Sequence, residues 1–295
     1  MTSWSIKDIP AQRGRTIIVT GANSGLGRVT ATALAGAGAR VVMAVRDLNR
    51  GTAAAAGIAG QVEVRELDLA DLASVRRFAD GWSDPIDVLV NNAGVMLVPQ
   101  GITEDGFETQ FGTNHLGHFA LTNLLLPLIT DRIVTVASGA HRGGAIDLDD
   151  LNWKTRPYKG WAAYSQSKLA NLLFTLELER RLENDRSPVR AFAAHPGYAA
   201  TNLQGHSGSR IVRQLLGIAN KIVAQSDEMG ALPSLFAVTQ DLPGASYVGP
   251  DGFGEQRGHP TLVGRTAAAS DIEMAKKLWV ASEQLTGVSY PSLVS

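Results

Sequence analysis

The chain has 295 residues, 44% of them hydrophobic and 19% charged. This is an ordinary globular balance, in a chain long enough to bury roughly three quarters of its unfolded surface. A net charge of −1 offers no basic stripe to match a phosphate backbone, which argues against nucleic acid as a partner; the absence of cysteine excludes disulfides, thiolate metal sites and a thiol nucleophile, and fits a reducing, cytoplasmic location.

Residues 1–14 read as an N-terminal leader without the basic start and apolar run of a signal peptide. Nearly continuous β-branched or aliphatic runs then alternate with helical patterns. Strands are predicted at 16–20, 41–45, 62–67, 88–91, 133–137, 189–194 and 246–248, and helices at 25–36, 46–58, 72–82, 113–130 and 164–182. The alternation predicts an α/β chain: a single Rossmann-type doubly wound domain over residues 1–295. About seven mostly parallel strands are expected in the order 3-2-1-4-5-6-7, with helices on both faces. The most apolar stretch, residues 121–129, is far shorter than the ~20 residues of a membrane span and is interrupted by Asn123 and Pro127.

After the first predicted strand the chain reads Thr-Gly-Ala-Asn-Ser-Gly-Leu-Gly over residues 20–27 and opens the first helix, the context that a phosphate-binding glycine loop requires. Gly21 permits the tight turn, Gly25 lets the main chain approach a pyrophosphate, and Gly27 lets helix and strand pack closely. Asn23, Ser24 and Leu26 complete the loop, and the helix N-terminus supplies unpaired amides for the phosphates. At the end of the second strand, Arg46 holds the position where a carboxylate would favour NAD. A guanidinium there matches a 2′-phosphate, so NADP is expected over NAD, with Asp47 turned aside as the cap of the next helix. A solvated arginine is the plainer alternative. Further on, Tyr164 and Lys168 share one helix face. A neighbouring cation lowers a tyrosine from its usual ~10, so that the pair can exchange a proton with an alcohol or carbonyl.

These motifs resemble the short-chain dehydrogenase/reductase family, in the subgroup with the Thr-Gly-x-x-x-Gly-x-Gly spacing, and within it the retinol dehydrogenase and protochlorophyllide reductase-like branch. The likeness runs from about Arg15 to Thr201. It rests on Thr20 to Gly27, Asp68-Leu69, Asn91-Asn92-Ala93-Gly94, Asn114 in Asn-His-Leu-Gly-His-Phe, Ser138, Tyr164 with Lys168, and Pro196-Gly197 through Thr201. It implies an NADP(H)-dependent oxidoreductase that interconverts an alcohol and a carbonyl. Tyr164 would be the acid/base, Lys168 would lower its pKa and bond the nicotinamide ribose, Ser138 would hold the substrate oxygen, and Asn114 would position a water leading from Lys168 to solvent. The resemblance also assigns Asp68, with Leu69 beside it, to the adenine, Asn91, Ala93 and Gly94 to the adenosine side, and Pro196, Gly197 and Thr201 to the nicotinamide end. For Asn91, bracing adjacent strands is an equal reading.

Other features read as structural. His115 and His118, without a third ligand, are expected to be packed histidines, and no metal is expected. His195 before Pro196 reads as filling space. Glu177, Glu179, Arg180, Arg181 and Glu183 read as an exposed helix face opposite a buried stripe of Leu169, Leu172, Leu173 and Leu176. Asp147, Asp149 and Asp150 read as a surface loop. Ser138 and Tyr164 lie 26 positions apart, more than common members of the family show, so residues 139–160 are read as an inserted loop that leaves monomer and homo-oligomer both open. Apolar residues at helical spacing over 202–226 predict a lid over the substrate mouth. With Trp161 and Tyr198 nearby, it suits a hydrophobic alcohol, aldehyde or ketone. Two other readings stand beside this one. One is a non-catalytic NADP-binding sensor on the same fold, a class in which the tyrosine or lysine is typically lost. The other is a sugar-nucleotide epimerase or dehydratase, whose Gly-x-x-Gly-x-x-Gly spacing this chain lacks.

Overall fold

Eight strands form one sheet in the computed structural model, which describes residues 3–197 and 226–291. They are β1 (Thr16–Thr20), β2 (Arg40–Val45), β3 (Gln61–Glu66), β4 (Ile86–Asn91), β5 (Ile129–Val136), β6 (Arg190–Ala194), β7 (Tyr247–Pro250) and β8 (Pro260–Leu262). Their order is β3-β2-β1-β4-β5-β6-β7-β8. The expected order holds through the first seven, all parallel. The eighth corrects the expected count: it lies antiparallel on β7, pairing Val248 with Leu262. Three residues led by a proline carry no strand signal, and an edge is where a sheet tolerates proline.

The helices are α1 (Gly25–Gly36), α2 (Leu48–Ala55), α3 (Leu72–Asp80), α4 (Thr109–Phe111), α5 (Gly117–Leu125), α6 (Gly160–Asn184), α7 (Asp227–Thr239) and α8 (Ile272–Thr286). A π turn, Gly112–Leu116, joins α4 to α5. Alternation along each strand sorts the core between two layers. Ile18, Leu89 and Ile133 face the layer holding Val75, Phe119, Leu172 and Trp279, while Ile17, Val19 and Val90 face Leu34 of α1 and Leu235 of α7. In the first layer α8 caps α5 and α6: the Trp279 ring stacks on Phe174 at 5.6 Å and meets Phe119 edge-on at 4.8 Å.

Several local expectations change. The helix predicted over 113–130 starts earlier and ends at Leu125; Pro127 sits in a short turn, Leu126–Leu128, and β5 already begins at Ile129. Glu177 and Glu179 are not a solvated face, being 1% and 2% exposed. Glu177 accepts from Arg180 and Arg181 at 2.7 and 2.8 Å. Glu179 accepts from the Ala191 N–H at 2.6 Å and pairs with Arg190. Asp150 is also buried and ties the inserted loop together, taking the N–H groups of Lys154, Thr155 and Arg156. The N-terminal leader packs down, with the Trp4 ring edge-on to Phe236 of α7 at 5.3 Å. Among the described residues no helix is long and apolar enough to cross a membrane. Tyr198, Thr201 and all of the expected lid except Ser226, which caps α7, lie outside the described residues.

Candidate active site

A crevice of about 340 Å³ opens at the carboxyl ends of the parallel strands. Gly21, Asn23, Ser24, Gly25, Leu26 and Gly27 line it after β1, Arg46, Asp47 and Arg50 after β2, Asp68 and Leu69 after β3, and Ala93 and Gly94 after β4; Tyr164, Lys168 and Pro196 close the far end. At Gly21 the chain turns with φ +66° against Ala93, where a Cβ would stand 2.9 Å away. A Cβ at Gly27 would strike the Asn92 side chain and the Gly21 carbonyl. The cradle can therefore be built only with glycine. Ser24 precedes α1 without a side-chain cap, and no acidic residue occupies its first turn. Its amides and partial positive charge are left for an anion, as a dinucleotide pyrophosphate requires.

Thr20 locks this loop in place. Its Oγ1 accepts from the Asn92 and Ala93 N–H groups, each at 2.9 Å, and bonds His118 Nε2 at 2.9 Å. Because the hydroxyl spends both acceptor sites on amides, it donates to the imidazole; His118 Nδ1–H then donates to the Asn114 carbonyl at 3.0 Å. Burial pushes His118 down to about 4 and His115, packed against Phe111 and bonded to Ser282 at 2.9 Å, down to about 3. Both are packed and neutral near pH 7, and no group of metal-ligating residues occurs among the described residues.

Asp47 accepts from the Arg50 N–H at 3.0 Å and caps α2, the role expected of it. Among the described residues neither the Arg46 nor the Arg50 guanidinium makes an ion pair, and both are exposed at the crevice. Asn91 does not line the crevice. Its Nδ2 donates to Thr122 Oγ1 at 2.9 Å and reaches Thr135 Oγ1 at 3.4 Å, so it braces β4, β5 and α5, and the neighbouring Asn92 reaches the crevice instead. Gly197 also stays off the lining, held under the Gln256 carbonyl. Asn92, Thr113, Val136 and Ala137 line the site without having been singled out. Asn92, Val136 and Ala137 follow from the rule that ligands meet residues at strand carboxyl ends; Thr113 enters through the π turn, which nothing in the local pattern announces.

At the far end Tyr164 and Lys168 are buried, with Lys168 Nζ 5.7 Å from the Tyr164 ring centre and donating to the Val136 carbonyl at 3.0 Å. The Ser138 hydroxyl stands close enough to the Tyr164 phenol to favour its phenolate. Asn114 Oδ1 accepts from the Val95 N–H at 2.8 Å, its Nδ2 donates to Ser167 Oγ at 2.9 Å, and Asn114 and Lys168 both face Gly94. The four side chains therefore converge, although Ser138 and Asn114 do not line the crevice themselves. Their electrostatics correct the expectation of a lowered tyrosine. Burial pushes Tyr164 up to about 12 against the opposing pull of Ser138, and burial pushes Lys168 down to about 8. In the protein alone desolvation governs both groups.

His195 does more than fill space. Its Nδ1 accepts from the Gly197 N–H at 3.2 Å and its Nε2 reaches Glu255 at 3.1 Å. Trp161, 55% exposed, stands 6.0 Å from the Tyr164 ring, and Leu97, 41% exposed, packs its main chain on Gly160 at the start of α6. Apolar surface open to solvent thus lies beside the Tyr164 ring at Trp161.

A family model described as short chain dehydrogenase matches residues 15–211. The chain is 45% identical over 296 residues to retinol dehydrogenase 13 of Homo sapiens, which spans 95% of this chain and 87% of that one. It is 40% identical over 300 residues to polyprenol dehydrogenase of Mus musculus, covering 95% and 86%. A crystal structure described as a putative uncharacterized protein from Mycobacterium Paratuberculosis is 56% identical, with a TM-score of 0.87 over 98% of this chain and 100% of that one.

Proposed function

The chain belongs to the short-chain dehydrogenase family of NAD(P)-dependent alcohol and carbonyl oxidoreductases, and from there we propose that it uses NADP(H) on a hydrophobic alcohol, aldehyde or ketone, with Tyr164, Lys168, Ser138 and Asn114 as its catalytic set. The observation that carries this reading is the meeting of Ser138, Tyr164 and Lys168 at one end of a crevice whose other end is a glycine cradle beside Arg46.

The residues present fit the cofactor. The α1 amides would hold the pyrophosphate, Arg46 and Arg50 the 2′-phosphate, Asp68 the adenine and Lys168 the nicotinamide ribose. Bound there, the nicotinamide supplies or accepts the hydride. The protein moves the proton. A phenol held near 12 is protonated at neutral pH, the form that carbonyl reduction consumes. The Ser138 Oγ accepts from the Ala140 N–H at 3.1 Å, which leaves its own proton to donate to the oxygen that gains negative charge. Lys168 near 8 is largely cationic at pH 7 and restrains the phenolate once the proton has left. Asn114, clamped by Val95 and Ser167, fixes the wall against which the lysine stands.

The substrate class rests on the exposed Trp161 beside the Tyr164 ring, on Leu97 exposed near the start of α6, and on two relatives named for retinol and polyprenol, both isoprenoid alcohols. The test is a panel of alkyl, aryl and isoprenoid aldehydes, ketones and alcohols, followed by nicotinamide absorbance with both cofactors. Faster turnover of apolar carbonyls with NADPH is expected. Equal rates with NADH would reject the cofactor assignment, and nucleotide binding without any turnover would favour a sensor.

A further inference from the structure

A serine hydroxyl stabilises a developing oxyanion only when its O–H is aimed at that oxygen. The aim of Ser138 depends on the short turn Gly139–Gly143, which it caps. That turn is fastened by His141, which donates to the Ser138 carbonyl twice, from its main-chain N–H at 3.0 Å and from ring Nδ1 at 2.8 Å. A carbonyl only accepts, so Nδ1 carries the proton and Nε2 a lone pair. Nε2 is buried without a hydrogen-bond partner among the described residues.

The imidazole is itself clamped. It stands edge-on to Tyr247 of β7 at 5.6 Å, and the Tyr247 ring lies 5.0 Å from His195 at the end of β6. His195 is held by Gly197 and Glu255, and Arg142, next to His141, closes on Glu255 at 2.8 Å. Burial pushes His141 down and keeps it neutral. The rigid ends of two strands thus reach the Ser138 turn through one ring.

We infer that His141 is a positioning residue, whose Nδ1–H tautomer holds the turn that aims the Ser138 hydroxyl at Tyr164 and the substrate oxygen. The inference rests on the reaction proposed above. Leucine at 141 fills similar space but leaves the Ser138 carbonyl with one donor. Asparagine places an amide N–H close to where Nδ1 lies, and so restores the second.

Two measurements test it. Nitrogen-15 NMR of the imidazoles needs no substrate: His141 as the Nδ1–H tautomer is expected, and the Nε2–H tautomer overturns the inference. In kinetics with NADPH, His141→Leu should lower kcat by on the order of 10- to 100-fold with nucleotide affinity unchanged. His141→Asn should recover most of that loss. On a Ser138→Ala background His141→Leu should cost nothing further. An undiminished His141→Leu, an asparagine variant as slow as the leucine one, or a full additional loss on the alanine background would each overturn the inference. Should the leucine variant not fold, the tautomer and the asparagine variant decide. Failure of the underlying reaction has a different signature, unchanged turnover in Ser138→Ala itself.

Discussion

Thr20 Oγ1 and His118 Nε2 are hydrogen bonded at 2.9 Å across 98 positions of sequence, which joins the glycine loop to the helix that follows Asn114. Replacing Thr20 with valine keeps the shape and removes the hydroxyl. It strands the Ala93 amide and the buried imidazole nitrogen, while the Asn92 N–H keeps its bond to the Val90 carbonyl at 3.0 Å. A loss of about 1–3 kcal/mol of stability is expected, together with weaker nucleotide binding, because unpaired buried polar groups carry their full desolvation cost. Urea unfolding and tryptophan quenching by NADPH measure the two effects.

Acid should destabilise the fold in a defined window. His115 and His118 sit near 3 and 4 when folded and regain about 6.5 on unfolding. Between those values the unfolded chain binds protons that the native one refuses, so this stability is complete above pH ~6.5 and drains away as pH falls. His118 alone should account for roughly 2 kcal/mol between pH ~6.5 and ~5. The buried Glu108 and Glu179 are shifted upward and act in the opposite sense. Comparing urea midpoints of the wild type and His118→Gln at both pH values isolates the histidine, and parallel pH dependences would refute it.

Arg46→Ala should weaken NADPH binding by about 10- to 100-fold and leave NADH nearly unchanged, since a charge-assisted bond contributes roughly 1.5–3 kcal/mol. Direct titration of both nucleotides decides this. An unaltered ratio would assign the discrimination elsewhere, with Arg50 the next candidate at the same rim.

Tyr164→Phe removes one oxygen and little volume. It should lower turnover by on the order of 100- to 10,000-fold while nucleotide affinity holds, and Ser138→Ala should cost about 100-fold or more. Single-turnover rates separate these losses from product release.

Much of this arrangement is legible from spacing. The glycine loop announces itself by following an apolar strand, and Tyr164 meets Lys168 because a helix repeats every 3.6 residues. The parallel strands show as unbroken apolar runs because both faces are covered. What stays hidden depends on partners far along the chain. The burial of Glu179 is decided by Arg190 and the Ala191 amide on β6, and the service of Asn91 by Thr122 and Thr135. The tyrosine shift is missed for a related reason, since charge pairing can be read from four-residue spacing and depth of burial cannot.

Glu179 supplies a check on that lesson. Arg190 is 42% exposed and can turn to water, so losing the ion pair itself costs little. The Ala191 N–H cannot, and Glu179→Ala should lower stability by about 1–3 kcal/mol through that amide. Glu179→Gln keeps an acceptor and should lose clearly less in the same denaturation experiment.

The π turn at Gly112–Leu116 sets a length restriction on the active-site wall. A π turn takes up one residue more than an α turn over nearly the same rotation, so removing a single residue there would tighten the coil to α and leave α5 close to its present phase. His118 would keep Thr20 and Asn123 the Phe119 carbonyl, while the widened turn that brings Thr113 to the crevice would be lost. The extra residue therefore serves the crevice wall rather than the docking of the helix behind it.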